Sequence, residues 1–146
     1  MAARYRLTAW RRVANWLMRG LLRWGLAPPH TYLLTVPGRR SGQAYATPVT
    51  LVEDGRERWL VAPYGEVGWV QNARAAGSVT LTRGLRVETV AIRELGPVEA
   101  APVLKRYITT VPITRPFFDV TPESDLGEFE TEAPRHPVFH LVSQAR

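Results

Sequence analysis

Arg39, Arg40 and Ser41 stand in a row between Gly38 and Gly42, after one apolar run, Leu33 to Pro37, and before another, Tyr45 to Leu51. Guanidinium forks match phosphate oxygens in pairs, and a hydroxyl adds a further donor. Flanking glycines permit the positive φ and the close backbone approach that an anion-binding loop requires. The same spacing suits a solvated hairpin tip, and it is far less specific than a Walker loop. Either way the chain bends here between two strands. Other familiar chemistries are missing. There is no cysteine, and the three histidines, His30, His136 and His140, are scattered. On a strand His136 and His140 would share a face but sit about 13 Å apart, too far to share a metal, so no metal site is expected. No Gly-x-Ser-x-Gly elbow occurs, which sets a serine hydrolase aside.

The net charge of +6 is unevenly spread. Residues 1–52 hold eight arginines and no acid, whereas residues 53–146 hold eleven basic and thirteen acidic groups. The basic excess therefore belongs to the N-terminal stretch. Lys105 is the only lysine, and no helix-turn-helix, zinc-finger or aromatic RNP pattern follows, so nucleic acid is not an expected partner. Leu7, Trp10, Ala14, Leu17, Leu21 and Trp24 recur at steps of three and four, with Arg4, Arg12, Asn15, Arg19 and Arg23 opposite. This spacing predicts an amphipathic helix over residues 8–24, ended by Gly25 and Pro28-Pro29. Arginines interrupt its apolar residues, so it is expected to be neither a membrane span nor a signal-peptide core, and the location expected is cytoplasmic. Its arginines and tryptophans suit a peripheral contact with an anionic membrane at the inner face. The same stripe equally suits packing on the chain's own sheet, or on the second subunit of a homodimer.

Beyond residue 30 the pattern shifts to short strands punctuated by turns. Strands are expected at Tyr32 to Val36, Tyr45 to Val52, Trp59 to Ala62, Val79 to Thr82, Val87 to Arg93 and Val138 to Val142. Helices are expected from Val67 to Ala76 and from Pro97 to Thr109. Between Val111 and Val120 a proline-punctuated loop carries Phe117 and Phe118 and is of a kind that can wall a pocket. Thr121 is expected to cap a short acidic helix. Six strands with few helices make a mainly β (α+β) fold, a small closed barrel without exposed strand edges, in one domain over residues 1–146. Residues 1–27 would form the helix and residues 31–146 the barrel.

The run Leu34-Thr35-Val36-Pro37-Gly38-Arg39-Arg40-Ser41-Gly42-Gln43, then Thr47-Pro48, Leu60-Val61-Ala62 and Trp69-Val70-Gln71-Asn72-Ala73-Arg74-Ala75, resembles the deazaflavin (F420)-dependent nitroreductase family. The resemblance covers most of residues 30–93, and Arg135-His136-Pro137-Val138-Phe139 resembles the family's closing strand. It implies a six-stranded antiparallel split β-barrel of the flavin and deazaflavin oxidoreductases. It also implies hydride transfer from reduced coenzyme F420 to a small-molecule electron acceptor: a quinone, a nitroaromatic or an activated alkene. Carried over by position, it places Arg39, Arg40 and Ser41 near the coenzyme's phosphate or acidic tail. Thr47 and Pro48 would lie along the ring, Ala62, Pro63 and Tyr64 would meet it from the other side, and Trp69, Asn72 and Arg74 would close the site. The ordinary alternatives are a core anchor for Trp69, a cap or loop tie for Asn72 and a solvated helix residue for Arg74.

Two positions depart from the family pattern. Tyr45 and Gly65 stand where many relatives carry basic residues, which leaves FMN, FAD or haem as alternative cofactors. It leaves an FMN-dependent reductase, or a non-enzymatic flavin, F420 or haem-binding module, as alternative functions. Hydride transfer belongs to the cofactor, so the absence of a triad is no obstacle. Tyr107 is the candidate proton donor, and Phe117 and Phe118 are the candidate substrate-binding residues, by stacking on a planar acceptor.

Overall fold

The computed structural model describes residues 29–143, so the expected helix over residues 8–24 lies outside the described residues. Six strands follow: β1 (Thr31–Pro37), β2 (Ala44–Asp54), β3 (Glu57–Val61), β4 (Ser78–Arg83), β5 (Arg86–Glu94) and β6 (Val138–Ser143). They close into an antiparallel barrel in the order β1-β2-β3-β6-β5-β4. The first three pair as a meander, whereas closure needs the pairs β3 with β6 and β1 with β4, which join strands distant in sequence. Because side chains alternate across a strand, one parity of each strand turns into the barrel. That parity carries Leu34, Val36, Leu51, Leu60, Leu81, Val90, Phe139 and Leu141, all buried together. Helix α1 (Gly68–Ala76) adds Val70 and Ala73 to this inner core.

The same inward parity changes character at the end of the barrel remote from the basic turn. There Tyr32 Oη donates to Glu53 Oε2 at 3.2 Å, and Arg58 Nη1 donates to Glu88 Oε1 at 2.5 Å. This end is therefore closed by polar groups that satisfy one another rather than by aliphatic side chains.

A second core lies outside the barrel. Helix α2 (Pro97–Thr110) lays Ala101, Leu104, Tyr107 and Ile108 against the outward-facing Val52, Val61 and Val138. Helix α3 (Leu126–Glu132) adds Phe129, and the connecting segment adds Phe118 and Val120. The proline-rich loop is more ordered than its sequence suggests, since Pro112–Phe117 winds into a 3-10 helix. The acidic helix starts later than expected. Thr121 and Ser124 spend their polar groups on each other, Thr121 N donating to Ser124 Oγ and Ser124 N to the Thr121 carbonyl, both at 2.9 Å. The cap passes to Asp125, whose carboxylate accepts from Glu128 N at 2.9 Å. His136 ends a 3-10 turn before β6 and is buried, while His140 lies on β6, so the two do not share a strand face. Among the described residues no helix is long and apolar enough to cross a membrane, and no group of three or more metal-ligating side chains occurs.

Candidate functional site

The basic turn joins β1 to β2. Gly38 N donates to the Gln43 carbonyl at 2.7 Å and Gly42 N to the Gly38 carbonyl at 2.9 Å, which closes a compact loop. Gly42 has a φ of +72°, the left-handed region that favours glycine. Gly38 is closely surrounded: a Cβ there would fall 2.8 Å from Cε2 of the Tyr45 ring, 3.1 Å from Ser41 Oγ and 3.3 Å from the Gln43 carbonyl oxygen. Ser41 Oγ accepts from Gln43 N at 3.2 Å, so its own hydroxyl proton can point outward.

Helix α1 faces this turn, and Asn72 joins the two. Asn72 Oδ1 accepts from Arg39 N at 3.1 Å and from Arg39 Nη1 at 2.8 Å, and the residue is only 7% exposed. Between turn, β2 and α1 opens a cleft of about 410 Å³ with mostly apolar walls. Arg39, Arg40 and Ser41 line it from the turn, Thr47 from β2, and Trp69 and Asn72 from α1. Six of the residues singled out from the sequence are thus brought together. Tyr45, Ala46, Gly38 and Gly68 line the cleft as well, and sequence reasoning did not assign them to it. A signal for Tyr45 was available: it lies two residues before Thr47 on one strand and so shares its face.

The other candidates stand elsewhere. Pro48 is not among the residues that line the cleft, although its neighbour Thr47 on β2 is. Ala62 is fully buried in the inner core. The Pro63 carbonyl accepts from His136 Nδ1 at 2.9 Å, and Tyr64 packs edge-on against Phe117 with ring centroids 4.7 Å apart. Arg74 is held by two carboxylates, donating to Glu94 Oε2 at 2.7 Å and to Glu66 Oε2 at 2.6 Å; these bonds, Glu94 first, push its pKa further up. Phe118 is buried and stacked on the His136 ring at 3.8 Å. Tyr107 is buried in the outer core, where desolvation pushes its phenol well above the ordinary value. None of these lines the cleft.

A six-stranded closed antiparallel barrel with a few short helices matches the split-barrel fold of the flavin and deazaflavin reductases. The family model described as F420H(2)-dependent quinone reductase matches residues 10–115, and the chain belongs to that family. It is accordingly an oxidoreductase, with coenzyme F420 as its cofactor. Among solved structures, an F420-H2 dependent reductase (FDR-A) is 24% identical and superposes with a TM-score of 0.53 over 77% of this chain and 94% of that one. A structure described as a domain-swapped dimer is 22% identical, with a TM-score of 0.56 over 90% of this chain and 96% of that one. A heme binding protein from Mycobacterium smegmatis is 12% identical, with a TM-score of 0.56 over 84% of this chain and 50% of that one. At such identities these three show a shared fold. No curated protein matches the chain.

Proposed function

We propose that the cleft between the basic turn and α1 is where this enzyme holds F420, and that a quinone is the electron acceptor. The carrying observation is that apolar walls, the Trp69 indole and an exposed cation, Arg40, which has no partner among the described residues, converge in one opening of about 410 Å³. That volume lies within the usual range of ligand pockets, and the donor set fits a coenzyme with a planar ring and an anionic tail. Arg40 and Ser41 would hold the tail, and Ala46, Thr47 and Trp69 would lie along the ring. Reduced deazaflavin supplies the hydride when bound. The chain's own task is to bind, orient and exclude water, through a rigid strand on one side and a capped helix on the other. Gly77, in the left-handed region with its N–H donating to the Ala73 carbonyl at 2.8 Å, ends that helix cleanly.

The test is a titration of the purified protein with F420, followed by oxidation of the reduced coenzyme with menadione and, separately, with a nitroaromatic. Saturable binding and faster turnover of the quinone are expected. Turnover of the nitroaromatic alone would overturn the quinone assignment. A lipid-soluble quinone also gives the Arg- and Trp-rich residues 8–24 a task, and we extend the proposal to a peripheral place on an anionic membrane. Cosedimentation with anionic but not neutral vesicles, reversed by salt, is expected. For assembly we propose a homodimer, on the ground of the relative described as a domain-swapped dimer; sedimentation velocity decides it.

A further inference from the structure

Arg39 and Arg40 are neighbours in sequence but not equivalents in structure. Arg39 meets the helix twice, through its backbone N–H at 3.1 Å and through Nη1 at 2.8 Å, both on Oδ1 of Asn72. An amide oxygen has two lone pairs, and here one residue occupies both. Asn72 itself is almost wholly enclosed, flanked on α1 by the fully buried Val70 and Ala73. Swinging the Arg39 guanidinium out toward an anion would strip that enclosed oxygen of one of its donors. Arg40 is under no such constraint: it is exposed and makes no ion pair or hydrogen bond among the described residues. Asn72 also lies three residues after Trp69, so the two share a face of α1 and both reach the cleft.

We propose that the two arginines divide the work: Arg39 and Asn72 form a latch that fixes the turn on α1, and Arg40 is the cation that meets the coenzyme's anionic tail. Arg39 is then a positioning residue, and the latch sets how far the Trp69 wall stands from the turn. The inference rests on the cleft as the F420 site.

The experiment uses the full chain and two readouts for each variant. One is F420 affinity across a salt series, and the other is the Tm of the coenzyme-free protein. Arg40→Gln is expected to lose about tenfold or more in affinity at low salt and to flatten the salt dependence, because a screened charge contact is gone, while Tm stays put. Arg39→Gln is expected to lower Tm, to cost less affinity and to keep the wild-type salt dependence. Asn72→Leu should reproduce Arg39→Gln, Asn72→Asp should restore Tm by keeping an acceptor oxygen, and the double variant should be no worse than its worse single. The proposal falls if Arg39→Gln flattens the salt dependence at unchanged Tm while Arg40→Gln binds normally. If wild type shows no saturable binding, or if filling the cleft through Gly68→Leu leaves affinity intact, the cleft assignment fails and the division of labour with it. Because Arg39→Gln alters an exposed side chain, it supplies the Tm arm even if Asn72→Leu does not fold.

Discussion

The cleft and the outer core both set aromatic rings beside charged groups, yet only one of them leaves those groups available. In the outer core the Glu132 carboxylate is 2% exposed and fully engaged: Arg135 Nη2 donates to Oε1, and Asp119 N donates to Oε2 at 3.2 Å. Oε2 also faces His136 Nε2 at 2.7 Å. The second ring nitrogen of His136 donates to the Pro63 carbonyl, and Phe118 covers the ring face. Among the described residues no buried side-chain polar atom lacks a partner. At the cleft, by contrast, Arg40 and Ser41 are exposed and the Tyr45 ring is half exposed. A polar network closed on itself rigidifies the fold, and one left open toward a cavity has capacity to bind. The tie between the regions is mechanical, since the Pro63 carbonyl held by His136 opens the short loop that leads into α1.

The largest effect should come from opening the closed network. Glu132→Ala takes the partner from His136 Nε2 and from the Asp119 N–H and should cost about 1–3 kcal/mol for each in denaturant unfolding. F420 affinity of the folded fraction should stay close to wild type, and a small stability loss with a large affinity loss would break the contrast. The mirror experiment is Gly68→Leu, where a Cβ meets nothing within 4 Å and the backbone φ is ordinary. Here F420 affinity should fall about tenfold, some 1.4 kcal/mol, while stability holds or gains from a better helix former. Phe118→Leu should lower stability by about 1 kcal/mol through the lost stack on His136, and the ranking of acceptors by kcat/KM should not change. Reordered acceptors would return Phe118 to the substrate side.

A subtler contrast lies in pH. Burial pushes the His136 pKa below its ordinary value, against the upward pull of Glu132. A lowered folded-state pKa means that the unfolded chain takes up the proton first. The associated stability is therefore present above about pH 6.5 and is lost as pH falls below it. His136→Gln removes that dependence, so the Tm gap between wild type and variant should narrow on acidification. A gap that widens would show that the folded state prefers the charged imidazole.

Much of the barrel was legible because its cause is local. The apolar run Leu33 to Pro37, the alternation in Val79 to Thr82, and glycine at the turns lead to strands that begin and end within about two residues of those observed. The basic turn was legible for the same reason, since Gly38 and Gly42 act on their own neighbours. Thr121 misled because its competitor as a cap, Asp125, depends on where the turn at Ser124 spends its donors.

By itself, then, the sequence determined the strands, the turn and, through its motif series, the kind of reductase to which they belong. Only the tertiary structure decided which side chains meet. Asn72 captures Arg39 from 33 positions away, Phe118 finds His136 across the outer core, and Arg74 is claimed by Glu66 and Glu94 before it can face the cleft. Thr47 and Pro48, adjacent in sequence, part company, since only Thr47 lines the cleft. Periodicity acts over a few residues, whereas these pairings follow from barrel closure through β1 with β4 and β3 with β6, contacts that no local pattern encodes.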